Sequence, residues 1–358
     1  MKTMTKVFAG VLLACSLPVC AMEPLLPASM DQARPFKIEV LQVTDIEPYQ
    51  QSLDGFMKTL RDSGLVAGEN LLVNRVKVEF DIENGGLWDK FGVLLRLRQE
   101  AERITRVKPD LVLTIGSTAT KYTRSILSDA QIPVVFTAVA NPQDAGCTSL
   151  LDAGKGVTGA TLYMDMADSM KMVNEIFPAI KKIGMIHTDD VNGIAHVENA
   201  RGSAKNFGIE ISSKLVDKSD SIIPSVKSLM EEGRGAQMFA VPLDTYYGLR
   251  NYEPTLDLSD FASEYNMPII TFAMVRVPGA ILYIGADFGV VGNLSGLQAL
   301  KILKAHKKPD VLPILRQQNP IVLIDPERVT ALHMTLPDSI LEKKSVRNDG
   351  FWQINAAR

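Results

Sequence analysis

Cysteine is scarce, and two of the three, Cys15 and Cys20, lie within the first twenty residues. Cys147 alone cannot make an internal disulfide, so the folded chain must be held by its core. His187, His196, His306 and His333 have no metal-ligand spacing, and no CxxC occurs. No nucleophile elbow and no Walker A motif are present, and Gly154–Gly159 lacks the strand-to-helix context of a phosphate loop. The sequence therefore offers no catalytic set, no metal site and no cofactor motif. Positive charge is also short. The net charge of −3 becomes −5 without Lys2 and Lys6, which argues against a nucleic-acid partner. Beyond the N-terminus no apolar run reaches the roughly 20 residues that span a bilayer.

What is present begins with a leader. Lys2 and Lys6 precede an apolar stretch from Val7 to Leu17, Pro18 breaks it, and Val19-Cys20-Ala21 offers small residues for cleavage after Ala21. Residues 1–21 thus read as a signal peptide, and the expected location is the periplasm. Leu12-Leu13-Ala14-Cys15 partly resembles a lipobox, which leaves a lipid-anchored form through Cys15 open. The remaining chain of about 335 residues exceeds one ordinary core, so two domains are expected.

From residue 36 onward the pattern alternates. Strands are expected at 36–43, 71–80, 111–115 and 132–136, with helices at 50–63, 88–107 and 117–128 between them. Residues 141–159 are irregular and read as a first crossing between lobes. The alternation restarts with helices at 167–177, 192–206, 220–231 and 255–265 and strands at 183–186, 209–216, 238–241 and 268–271. A strand at 280–284, a helix at 290–305 and a strand at 321–324 follow. Continuous apolar strands separated by helices imply an α/β fold with parallel sheets covered on both faces. The lobes are expected at 36–140 plus 278–308 and at 141–277 plus 309–345, with a tail at 346–358.

In such sheets ligands bind beyond the carboxyl ends of strands, near helix N-termini. Those ends carry Thr44-Asp45, Gly116-Ser117-Thr118, Thr137 to Asn141, His187 to Asp190, Pro242 to Thr245, Thr271 to Met274, and Asp287-Phe288. Ser117 and Thr118 most simply cap their helix, and their hydroxyls and nearby amides also suit a carboxylate. Asp45, Asp189, Asp190, Asp244 and Asp287 would favour a cationic or donor group, although loop acids commonly just form turns. Phe136, Tyr163, Tyr246, Tyr247 and Phe272 could sandwich a flat ligand or simply pack. Arg96, Arg98, Arg103, Arg106 and Lys108 read as a solvated helix face.

Several stretches resemble the ABC-transporter substrate-binding proteins that include tryptophan- and tyrosine-type binders. They are Ile132-Pro133-Val134-Val135-Phe136-Thr137-Ala138-Val139 with Asn141-Pro142, Gly156-Val157-Thr158-Gly159, Phe177-Pro178 leading to Lys182-Ile183-Gly184, Asn266-Met267-Pro268-Ile269, and Gly285-Ala286-Asp287-Phe288. The resemblance implies a type I periplasmic-binding-protein clamshell of two Rossmann-like lobes. It implies a monomeric binder, not an enzyme, that captures a small, amino-acid-like ligand by hinge closure and partners an ABC permease. A ligand sensor feeding a membrane receptor, and less readily a periplasmic enzyme, are the alternatives. By position, the ligand contacts would be Thr44, Asp45, Ser117, Thr118, Thr137, Thr188, Asp244 and Asp287.

Overall fold

The computed structural model describes residues 34–78, 87–231 and 235–354, and its main compact unit begins at Pro35. The leader, with Cys15 and Cys20, lies outside the described residues, as do the end of the second expected strand and the last four residues of the tail.

The first sheet starts with β1 (Phe36–Gln42), β2 (Leu71–Lys77), β3 (Leu111–Ile115), β4 (Val134–Val139) and β5 (Val157–Thr161). Its helices are α1 (Glu47–Asp62), α2 (Leu87–Val107) and α3 (Ser117–Asp129). All residues of β3, β4 and β5 are buried, as continuous apolar strands covered on both faces must be. On α1, Tyr49, Leu53, Phe56 and Leu60 are buried; their spacing of four, three and four residues makes one apolar stripe.

The second sheet is built from β6 (Lys182–His187), β7 (Glu210–Leu215), β8 (Met238–Val241), β9 (Ile269–Thr271) and β10 (Ala280–Gly285). Around it lie α4 (Met166–Ile176), α5 (Val191–Ala204), α6 (Ile223–Glu231) and α7 (Glu253–Glu264). The chain then makes α8 (Phe288–Leu303), β11 (Leu315–Arg316), β12 (Ile321–Ile324), β13 (Lys344–Val346) and β14 (Trp352–Ile354). The first sheet has the order β11-β5-β4-β3-β1-β2 and the second β13-β14-β12-β10-β9-β8-β6-β7. Paired strands of the first sheet run parallel. The second is parallel from β7 to β10 and ends in the antiparallel strands β12, β14 and β13. The fold is thus α/β in two lobes, with one sheet mixed where parallel strands alone were expected.

Three assignments move. Val157–Thr161 pairs with β4 in the first sheet, so the chain leaves that sheet after Thr161 and not at residue 140. Ala280–Gly285 pairs with β9 and β12 in the second sheet, not with the first lobe as expected. Leu315–Arg316 pairs with β5 at the edge of the first sheet, within a stretch expected in the second lobe. The return to the first lobe is made by α8, whose glycines let α1 approach closely. A Cβ on Gly292 would overlap the Ser52 backbone, and one on Gly296 would lie 2.7 Å from Thr59 Cβ.

Candidate ligand-binding site

The carboxyl ends of both sheets meet at two adjoining hollows. The larger encloses about 560 Å³ of atom-free space, open solvent included. Its walls come from Ile46, Tyr49, Ala138 and Leu162 on one side and from Leu243, Asp244, Tyr247 and Tyr252 on the other, with Phe288 between. The smaller, about 260 Å³, is lined by Thr44, Ser117 and Thr118 of the first lobe and by Asp190, Asn192 and Thr245 of the second. Tyr49, Asn192 and Thr245 belong to both. Apolar walls with a few polar groups that would orient a bound molecule are the character of a small-ligand site.

On the first lobe the polar groups are donors. The amides of Ser117, Thr118 and Ala119 precede the first intrahelical bond of α3, which runs from Thr120 N to Gly116 O at 3.2 Å. Free amides and the helix dipole make this end attractive to an anion. Gly116 is the N-cap, so no side chain competes for those amides; the expected capping by Ser117 and Thr118 is not made. Thr44 is 8% exposed, and its hydroxyl forms no hydrogen bond among the described residues. Its carbonyl accepts 2.7 Å from Nε2 of the fully buried Gln42, whose Oε1 accepts from Arg75 Nε at 2.9 Å. That network fixes the loop after β1.

On the second lobe the polar groups are acids. Asp190 caps α5, accepting from Asn192 N at 2.9 Å. Asp244 accepts from Thr188 N at 2.6 Å, from Thr188 Oγ1 at 3.0 Å and from Tyr246 N at 2.9 Å. Burial, aided by the neighbouring Asp190 carboxylate, pushes the Asp244 carboxyl up from 3.8 to about 6. Burial also raises the Tyr49 phenol well above its usual range, and Asp190 and Asp244 add to the rise. A first-lobe side chain thus feels both second-lobe acids. The lobes also bond directly: Ser117 Oγ donates to Asn192 Oδ1, and Glu47 N donates to Tyr252 Oη at 3.2 Å.

A model of the ABC transporter substrate-binding proteins matches residues 37–346. The chain belongs to this family. It is similar to the tyrosine-binding protein of Clostridioides difficile (strain R20291), 24% identical over 341 residues that cover 93% of this chain and 92% of that one. Among solved structures it resembles an ABC domain in complex with L-Trp from Streptococcus pneumoniae, with a TM-score of 0.71 at 20% identity. That match covers 86% of this chain and 98% of the other. A conserved domain protein from Vibrio cholerae aligns with a TM-score of 0.72 at 22% identity, over 86% of this chain and 98% of that one.

Within this substrate-binding family member, four of the eight expected contacts line the hollows: Thr44, Ser117, Thr118 and Asp244. The other four are placed differently. Asp45 is exposed and pairs with Lys77 and, at 3.4 Å, with Arg75. Thr188 is fully buried behind Asp244, which it holds. Asp287 caps α8 through Val290 N at 2.9 Å. Thr137 is fully buried, and its Oγ1 has no hydrogen-bond partner. Of the five aromatics singled out, Tyr247 reaches the larger hollow while its hydroxyl donates to Ile186 O at 2.9 Å. In the basic run, Arg103 is not merely solvated: it pairs at 2.6 Å with Glu39, which is 5% exposed.

Sequence reading missed Tyr49, Asn192, Tyr252 and Phe288 as wall residues. Phe288 stands with Asp287 among the strand-end residues but is not one of the expected ligand contacts. Tyr49 looked like one more member of the α1 core stripe. Tyr252 reaches the hollow because Arg250, Asn251 and Tyr252 are successive left-handed residues, with φ of 50°, 54° and 66°. No glycine announces that turn.

Proposed function

We propose that the protein is an exported binding protein that captures an amino-acid-like ligand between its lobes and delivers it to an ABC permease. The observation that carries this reading is the opposition of charge across one continuous cleft. The free amides at α3 and the hydroxyls of Thr118 and Thr44 face a ligand carboxylate, and the buried Asp244 faces its ammonium. Among the described residues Asp244 has no ion pair, so a cationic ligand head supplies the compensation that a buried charge demands. Tyr49, Tyr247, Tyr252 and Phe288 give the larger hollow an aromatic wall. That lining suits an apolar or aromatic side chain, in keeping with relatives named for tyrosine and L-Trp.

Capture then proceeds by hinge closure. Ligand meets one wall in an open state, and the other wall swings over it, with closure favoured by differential contacts to the closed form. The Ser117–Asn192 and Glu47–Tyr252 bonds hold the closed arrangement. Export follows from the leader, with cleavage after Ala21 or acylation at Cys15. Isothermal titration of the purified protein against the twenty amino acids tests the reading, with L-tryptophan and L-tyrosine expected to bind best. If none of them binds or raises the melting temperature, the amino-acid reading fails.

A further inference from the structure

Among the buried charged groups of the second-lobe wall acids outnumber the cation by one, Arg276 lying exposed at the rim of the larger hollow. Asp190 and Asp244 are 7% and 8% exposed. Lys218, on the loop after β7, brings Nζ to 3.6 Å from Asp190 Oδ2 and 3.4 Å from Thr245 Oγ1. Thr245 Oγ1 in turn donates to Asp190 Oδ2 at 3.0 Å. The Lys218 side chain is only 14% exposed, and its loop is clamped. The guanidinium of Arg250 donates to the carbonyls of Lys218 and, at 2.9 Å, Asp220, and lies over the Tyr246 ring at 5.5 Å. Among the described residues an ammonium is therefore built in against Asp190, and none pairs with Asp244.

The phenols and the imidazole packed around the pair are neutral near pH 7, while Asp189, Asp217, Asp220, Arg250 and Arg276 are the charged groups beyond them. Tyr49 from α1 and Tyr246 and Tyr247 from the turn after β8 have phenols raised by burial. His196 of α5 accepts from Leu243 N at 3.2 Å, and burial lowers it to about 4. Lys218 is the cation that acts on the Asp244 carboxyl. Its charge decides whether the buried group of Asp190, Asp244 and Lys218 presents one negative charge or two.

We propose that Lys218 is a specificity-determining residue that cancels one carboxylate, so that the cleft takes a ligand head bearing a single ammonium. The proposal rests on the amino-acid reading above and adds to it which charge is native to the wall. Two adjacent carboxylates without a cation do not both stay ionised, because like charges in a desolvated site disfavour ionisation. Without Lys218 the pair would hold a proton, and an incoming ammonium would have to displace it into solvent. With Lys218 present the ammonium binds a wall already ionised.

Calorimetric titration with L-tryptophan and L-tyrosine near pH 7.5, in buffers of different ionisation enthalpy, counts the protons released. The wild type is expected to release almost none, and Lys218→Met about half a proton per ligand. Lys218→Arg should restore the wild-type count. A Met variant that binds with the wild-type proton count overturns the proposal. A second arm needs no ligand. In the Met variant the Asp244 carboxyl, no longer held down by Lys218, rises further, so stability is lost as pH rises through it. Its melting temperature should therefore fall further below wild type near pH 8 than near pH 5.5, while the Arg variant tracks wild type at both. Equal loss at both pH values overturns the proposal even if neither amino acid binds, an outcome that would by itself sink only the amino-acid reading.

Discussion

The two walls of the cleft solve opposite electrostatic problems. The first lobe presents the unbonded amides of α3 and the hydroxyls of Thr44 and Thr118, and turns its nearest acid, Asp45, away toward Arg75 and Lys77. The second lobe presents the buried Asp190 and Asp244 against one buried lysine, with Arg276 exposed at the rim. A ligand with separated charges has one low-energy orientation between such walls. The acid is the costlier half, since buried charge is more expensive to leave uncompensated than a free amide.

Removing that half should give the largest effect. Asp244→Asn keeps the size and an acceptor for Thr188 but removes the charge. A hydrogen bond to a charged group contributes about 1.5–3 kcal/mol, so affinity should fall roughly 100-fold in calorimetry. Acid should mimic the substitution. Because an ammonium favours the ionised carboxyl, wild-type affinity should decline as pH falls through about 6. The ligand-free protein should show the opposite sign. A carboxyl raised from 3.8 to about 6 by folding contributes stability below the unfolded value, and that contribution disappears as pH rises through about 6. Asp244→Asn should flatten both profiles.

The first wall is broken through its backbone. Gly116 has φ of +88°, and a Cβ there would overlap the Tyr49 hydroxyl and lie 2.8 Å from Tyr49 Cζ. Gly116→Ala should cost about 1–3 kcal/mol, because φ of 88° with ψ of 160° is a backbone region essentially confined to glycine, and displace Tyr49 from the cavity. A drop of several degrees in melting temperature is expected, with roughly tenfold weaker binding. Tyr49→Phe in the same chain should recover part of the stability, since the hydroxyl makes the closest contact.

These two sites differ in how far the sequence exposed them. The strand-end rule reached Asp244, Ser117 and Thr118 because continuous apolar runs such as Leu111–Ile115 mark buried strands, and the residues that follow must lie at the sheet edge. Asn192, Tyr252 and Lys218 escaped it. Their roles depend on what stands opposite, and a contact between residues 117 and 192 is set by how the lobes meet. Sheet membership was hidden for the same reason. Ala280–Gly285 is a strand by composition, but alternation does not say which neighbour a strand pairs with, and Val157–Thr161 was hidden as a strand by the Gly- and Asp-rich stretch before it. The left-handed run at 250–252 is held by tertiary bonds from Arg250, which override local preference.

Cross-cleft bonds sharpen the comparison at smaller cost. Ser117→Ala removes the hydroxyl that donates to Asn192, and Tyr252→Phe removes the acceptor for Glu47 N. Each ordinary hydrogen bond contributes about 0.5–1.5 kcal/mol, so each variant should release ligand about two- to tenfold faster in stopped flow. Association should be unchanged, because both bonds form only once the walls have met. The double variant should lose the product of the two factors if the bonds act independently.

The smallest effect is expected at Thr137, where the boundary of the first wall is decided. Its neighbour Ala138 lines the larger hollow with φ of +54°, while the Thr137 hydroxyl is buried without a partner. An unsatisfied buried hydroxyl carries a desolvation penalty of about 1–3 kcal/mol, and valine has nearly the same shape without that group. Thr137→Val should therefore leave the melting temperature unchanged or raise it by a few degrees, with binding unaltered in calorimetry. The opposite result, a tenfold loss of affinity, would mean that ligand supplies the missing hydrogen bond. Thr137 would then join Thr44 and Thr118 in the donor wall, and the contrast between donors on one lobe and acids on the other would extend to the floor of the cleft.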